Sequence, residues 1–227
     1  MSITLITKSA HLVISFLVCL LCLAAALWLG DYAPIRIIQN GGRIAIAAIE
    51  FVCILTALVL VTLAAPRLQD IDLFRPRAKL SALARFLYGF ILISITTALT
   101  AYIVTESYLR EEFPEEAARQ AATTVPESEV LIHNSLFIFG VAGILIPIIG
   151  QSLGVIASLI VWVVGYLPGL LNPRVELWPL AKMDEAGPWF STPHILTAAS
   201  LVFVACAVQY RTAGMGYNAR RNKANRE

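Results

Sequence analysis

The sequence predicts an all-α fold, a polytopic integral membrane bundle of six transmembrane helices with both termini inside. Of its 227 residues, 58% are hydrophobic and 14% are charged, whereas soluble domains have about 45–50% and about 25%. The mean hydropathy is +0.76. Val130 to Leu171, a 42-residue run, contains no Asp, Glu, Lys or Arg. As one helix this run would be about 60 Å long, twice the roughly 30 Å hydrocarbon core, so we expect a tight hairpin of two spans.

The apolar segments predict a single transmembrane domain over residues 1–227. A helix needs about 20 apolar residues to cross a bilayer. The predicted spans are about 10–30, 44–65, 83–105, 130–149, 153–171 and 192–210, followed by a basic cytosolic tail at 211–227. The first run is longer than the 7 to 15 residues or so of a signal-peptide core, so we expect it to be retained as a helix.

The turn between the fourth and fifth spans is predicted at Gly150 to Gly154, the only polar, glycine-flanked break in the long run. Pro147 precedes it and is expected to kink or end the fourth helix, because proline lacks an amide donor. Small residues predict close helix packing on both spans, namely Gly140, Gly143, Gly154 and Ser158.

The distribution of basic residues predicts the orientation. With six spans and the N-terminus inside, 11 Lys and Arg residues lie inside and 6 lie outside, in agreement with the positive-inside bias. Eleven acidic residues then lie outside, against three inside. The aromatic, proline-rich loop at 172–193 is expected to lie on the outer surface as a lid.

Glu50 is the candidate substrate or ion site. It lies within the second predicted span, where an ionised carboxylate is costly without a partner. The alternative is that Glu50 reaches the outer interface or pairs with Arg43. Ser94 and Thr97 belong to a stripe of small hydroxyl-bearing residues on the third span, which fits either helix packing or a hydrophilic pathway.

His133 and His194 are candidate metal or haem ligands, because both begin predicted helices at the outer face. The alternative is that they cap helices or meet water, and no cofactor is predicted. All four cysteines fall in apolar segments, so we interpret even the Cys19 and Cys22 pair as small packing residues. Hydrolase, metalloprotease and phosphate-loop motifs are missing from the sequence.

Three functions therefore remain open. The favoured one is a non-catalytic multi-pass membrane protein that scaffolds, assembles with or regulates a membrane partner. The first alternative is a small-solute or ion transporter, or its membrane subunit, with Glu50 in its site. The second is a haem- or metal-binding membrane oxidoreductase that uses His133 and His194. The expected partners are the lipid bilayer and other membrane subunits. The net charge of +2 does not suggest nucleic acid.

Overall fold

The computed structural model describes residues 3–29, 35–39, 42–46, 48–65, 78–110, 128–171, 180, 182–184, 187–189 and 192–214. The helices are α1 (Ile3–Leu29), α2 (Ala48–Ala64), α3 (Ala78–Arg110), α4 (Ser128–Ile149), α5 (Gln151–Leu171) and α6 (Thr192–Thr212). The strands are β1 (Ile35–Gln39), β2 (Gly42–Ile46), β3 (Lys182–Asp184) and β4 (Gly187–Trp189). The predicted helical class is confirmed, with two short hairpins added to it.

Three helical segments are long and apolar enough to cross a membrane, namely Ala78–Ile103, Glu129–Ile149 and Pro193–Thr212. They indicate a membrane protein. The other described apolar helical segments are Leu12–Trp28, Ile49–Ala64 and Gln151–Gly165, which have between 10 and 17 residues each. Among the described segments, three therefore meet the length and composition of a membrane span.

The bundle is organised around α4, which contacts α2, α3, α5 and α6. Sixty-seven per cent of its membrane-crossing segment is buried, against 22% for α6. Its aromatic side chains lie in the main core, where Phe139 packs on Phe86 with ring centroids 4.8 Å apart. A helix that is apolar on all sides is expected to be surrounded by other helices.

Neighbouring helices alternate in direction along the chain. The contacting pairs that show this are Cys22 with Cys53, Cys22 with Thr100, Phe51 with Trp162, Glu50 with Asn134, Phe86 with Phe139, His133 with His194, and Gly143 with Gln209. From these pairs, α1, α3 and α5 run one way, and α2, α4 and α6 run the other way. The end where α2, α4 and α6 begin is called the polar end below.

The turn between α4 and α5 consists of one residue, Gly150. Its φ of 95° lies in the left-handed region, which glycine adopts without the steric cost of a Cβ. Its amide donates to the Ile146 carbonyl at 3.0 Å, and its own carbonyl accepts from the Gly154 amide at 2.8 Å. Helix α5 consequently begins at Gln151, two residues earlier than the predicted span, and Pro147 lies inside α4 without ending it.

A β-hairpin precedes α2. Residues 44–46, which the sequence analysis assigned to the second span, lie in β2 and pair with β1. The register matches Gln39 with Gly42, which leaves the two-residue connection Asn40-Gly41. Asn-Gly between segments rich in β-branched residues is typical of a tight hairpin, so this local pairing explains why α2 starts only at Ala48.

The second hairpin, β3 with β4, lies next to β2 at the polar end. It belongs to the loop that the sequence analysis interpreted as a lid. Leu180, just before β3, is 1% exposed and belongs to the main hydrophobic core. A Cβ at Gly165 would collide with the Leu180 side chain, so Leu180 packs directly against α5 at Gly165.

Candidate functional site

Glu50 lies in the first turn of α2 and is 4% exposed. The second span was predicted to begin at about residue 44, and because α2 begins at Ala48, Glu50 lies closer to the helix start than predicted. A carboxylate in the first turn interacts favourably with the helix dipole. The side chain of the alternative partner, Arg43 in β2, lies outside the described residues.

Asn134 on α4 contacts the Glu50 side chain. Its Nδ2 donates a hydrogen bond to Oε1 of Glu50 at 2.9 Å, and Asn134 is fully buried. A hydrogen bond to a buried carboxyl lowers the cost of removing that group from water. The pair therefore joins α2 to the central helix and fixes where the Glu50 carboxyl points.

His133 and His194 are brought together by α4 and α6. Their ring centroids are 5.3 Å apart with the ring planes at 90°, and the two residues are 3% and 8% exposed. Two imidazoles supply part of a metal site, which needs four ligands in most structural zinc sites. Within the described part of the chain, no group of three or more His, Cys, Asp or Glu side chains is arranged to hold a metal ion.

The Glu50–Asn134 pair and the His133–His194 pair lie at the same depth in the bundle. His133 and Asn134 are consecutive in α4, and consecutive helical residues point about 100° apart, so one faces α6 and the other faces α2. Glu50, Asn134, His133 and His194 thus all lie at the polar end. Three of these residues were predicted from the sequence as candidate site residues, and Asn134 was not. The available signal was an amide side chain inside an otherwise apolar run.

The hydroxyl groups of α3 are used within their own helix. Thr97 Oγ1 donates to the Ile93 carbonyl at 2.8 Å, and Ser94 Oγ donates to the Phe90 carbonyl at 2.8 Å. Thr97 is fully buried. The same back-bonding to the carbonyl four residues earlier is made by Thr56, Thr62, Ser158, Thr197 and Thr212. This geometry satisfies each hydroxyl without water.

Three helices contribute thiols and a hydroxyl to a small buried cluster. Cys22 Sγ on α1 lies 4.0 Å from Cys53 Sγ on α2 and 4.0 Å from Thr100 Oγ1 on α3. All four cysteines are free. The closest thiol contact therefore joins two helices rather than the two cysteines of the Cys19 and Cys22 motif. Small apolar neighbours such as Ala101 complete this cluster.

The small residues singled out for packing lie at tight helix crossings. A Cβ at Gly143 would lie 2.9 Å from Ala205 Cβ, and one at Gly140 would lie 2.9 Å from Leu201 Cβ, both on α6. A Cβ at Gly154 would lie 2.7 Å from the Ile146 Cα. Ser158 is fully buried one turn after Gly154. Glycine at these positions permits close approach of the helix backbones.

A cavity of about 510 Å³ lies between α3, α4 and α6, and we call it the apolar groove. Its lining includes Phe90, Leu136, Val202 and Phe203, together with Glu129 and His133 near the start of α4. Glu50 and Thr97 do not line it. A volume of this size is within the range of roughly 300–1,000 Å³ for ligand sites.

The fold and these contacts define a class, a helical membrane protein with a buried polar cluster at one end of its bundle. No family model, curated protein or solved structure matches the chain.

Proposed function

We propose that this chain is a non-catalytic, multi-pass membrane protein that assembles with a membrane partner. The observation that carries the proposal is the use of polar groups inside the bundle. The hydroxyls of Ser94 and Thr97 bond within their own helix, and Asn134 bonds Glu50 between two helices. Polar side chains used in this way join and stabilise helices. The outward faces are then the surfaces available for interaction.

The second part of this proposal is the topology, which is six transmembrane spans with both termini inside. The alternating directions of α1 to α6 support it, because consecutive spans of a multi-pass protein must alternate. The excess of 11 basic residues on one side over 6 on the other supports the N-inside orientation. In that orientation, the polar end faces outside and the tail at 211–227 lies in the cytosol.

Helix α1 offers the best surface for a partner helix. Five of its outward residues are spaced alternately by four and three positions, namely Val13, Leu17, Leu20, Ala24 and Leu27. Leu17, Leu20 and Leu27 are 51%, 44% and 65% exposed. This spacing is that of a left-handed helix pair, and alanine within it lets two backbones approach. The main helix contacts of α1 are with α2 and α3, and the five residues of this seam are exposed.

Photo-crosslinking in native membranes tests the assembly proposal. A photoreactive amino acid at Leu20 is expected to give a discrete protein adduct, which Ala24→Trp in the same chain should abolish. The matched control is Leu153 on α5, which is 61% exposed and should give lipid adducts. Lipid adducts alone from both positions would contradict the proposal.

A second candidate function is transport of protons or another cation, favoured by the buried Glu50 with its defined partner. An ionisable residue inside a membrane segment is by default a candidate coupling site. Proteoliposomes with an enclosed pH-sensitive dye and an imposed pH gradient test it. Transport predicts a proton flux in the wild type that Glu50→Gln abolishes. Equal dye responses of wild type, Glu50→Gln and protein-free liposomes would exclude a proton carrier.

The contact between His133 and His194 favours a third candidate, a haem- or metal-binding oxidoreductase. The absorption spectrum and metal content of the purified protein test it directly. A Soret band, or stoichiometric metal that His133→Ala removes, would support this candidate over the assembly proposal. Metal-free, colourless protein isolated from metal-replete cells would exclude it.

A further inference from the structure

The apolar groove has the length of one membrane leaflet. On α6 its lining extends from Ile195 to Cys206, which is about 16 Å of helix at about 1.5 Å per residue. That length is close to half of the roughly 30 Å hydrocarbon core. The groove therefore runs from the polar end of the bundle to about its middle. An extended hydrocarbon chain fits this shape better than a compact polar solute.

The lining of the groove is almost entirely apolar, and its two titratable side chains at the polar end mark where a head group would lie. Glu129 and His133 lie one turn apart at the start of α4, whereas Phe90 and Cys206 line the groove deep in the bundle. Glu129 is exposed to the surroundings, and His133 is 3% exposed. A ligand with one polar group and one long apolar chain would match both ends of the groove.

The charge at the groove mouth selects among lipid head groups. Glu129 lines the groove at the start of α4 and is exposed, so its carboxylate charge lies at this end of the groove. An anionic head group would be repelled by this charge, whereas an ammonium group would be attracted. A primary ammonium can also donate hydrogen bonds to a carboxylate, which a quaternary ammonium cannot do.

We propose that the apolar groove binds one acyl chain of a phospholipid with a primary ammonium head group, with the ammonium at Glu129. This site is independent of the partner seam on α1, because its lining residues belong to α3, α4 and α6. The occupant is a lipid of the leaflet at the polar end.

Lipid titration of the purified full-length protein tests the head-group part. Phosphatidylethanolamine, phosphatidylcholine and phosphatidylglycerol with identical acyl chains are compared by native mass spectrometry. We expect phosphatidylethanolamine to bind about fivefold more tightly than phosphatidylglycerol, as one charge near the surface would produce. Glu129→Gln should remove this preference, and Glu129→Asp should retain it. Equal affinities in the wild type, or an unchanged preference in Glu129→Gln, would overturn the proposal.

Substitution within the groove tests the acyl-chain part. Ala199→Trp should fill the groove and abolish saturable binding, whereas Leu196→Trp on the same helix lies outside the groove lining and should leave it unchanged. A phosphatidylethanolamine with a photoreactive acyl chain gives a second measurement on the wild type. We expect crosslinks within 132–136 and 195–206. Crosslinks spread evenly over all outward helix faces would show ordinary surrounding lipid and overturn the site.

Discussion

Asn134 gives the buried Glu50 carboxyl a defined partner. Glu50 is 4% exposed. The hydrogen bond of 2.9 Å from the Asn134 amide fixes the position of its carboxyl group. A buried hydrogen-bond acceptor that loses its donor bears the cost of its own desolvation. Removing one partner should therefore cost more stability than removing both, which single and double substitutions can test.

We expect Asn134→Leu to lower the free energy of unfolding by about 1–3 kcal/mol, because the carboxyl is left without this donor. Thermal unfolding of the protein in lipid nanodiscs, followed by tryptophan fluorescence, measures the change.

The double variant Glu50→Leu with Asn134→Leu provides the control. It removes both polar groups, so it should cost less than the sum of the two single substitutions. Strict additivity would contradict a direct interaction between the two side chains.

For Thr97, in contrast to Asn134, we expect loss of the polar group to have little effect on stability. Its hydroxyl donates to the Ile93 carbonyl of its own helix, so the hydroxyl contributes little to contacts between helices. We expect Thr97→Val, which keeps the side-chain shape, to change the free energy of unfolding by less than about 1 kcal/mol. A loss as large as that of Asn134→Leu in the same assay would reveal an interhelical role for the hydroxyl.

Part of the polar cluster, namely Glu50, His133 and His194, was predicted from the sequence. Glu50 stood out because charge is rare in apolar segments, and the two histidines stood out because they begin helices. Asn134 and the contact between Cys22 and Cys53 did not stand out. Uncharged polar residues and thiols are common in membrane helices, and only the packing of separate helices decides which of them meet.

The hairpin of α4 and α5 shows how elements follow from local sequence. Its length and break were predictable from the uncharged run and from Gly150. The close contact of α5 with α4 depends on Gly154, whose substituted Cβ would lie 2.7 Å from the Ile146 Cα. The two helices can approach to this distance only when the residue at this crossing has no side chain.

We expect Gly154→Ala to lower the free energy of unfolding by about 1–3 kcal/mol through overpacking. Leu153→Ala is the matched control, because Leu153 is the neighbouring residue and is 61% exposed. Its substitution should have little effect in the same nanodisc assay. Equal stabilities of the two variants would show that α4 and α5 do not cross at Gly154.

The β-hairpins are the elements that hydropathy analysis missed. Residues 44–46 continue the apolar composition of α2, so a hydropathy window assigns them to a span. The Asn40-Gly41 dipeptide is the local signal that favours a hairpin instead. In β3 and β4 the register leaves Glu185 and Ala186 between the strands, and this dipeptide carries no such signal.

For the whole molecule, the sequence predicts the class better than the arrangement. Apolar composition and segment length predicted a helical membrane protein, and the helices of the structure support this class. Which helix is central could not be predicted, because α1, α2 and α5 are about as hydrophobic as α4. The central position of α4 emerges from its contacts with α2, α3, α5 and α6, which depend on the shapes of all these surfaces together.

The central proposal is that the chain crosses its membrane six times with both termini inside. Cysteine accessibility in intact cells tests it most directly, with single cysteines introduced at Asn218 in the tail and at Ala122 between α3 and α4, in a chain whose native cysteines are replaced. An impermeant maleimide should label the Ala122 position in intact cells and the Asn218 position only after permeabilisation. Labelling of the Asn218 position in intact cells would contradict the six-span account.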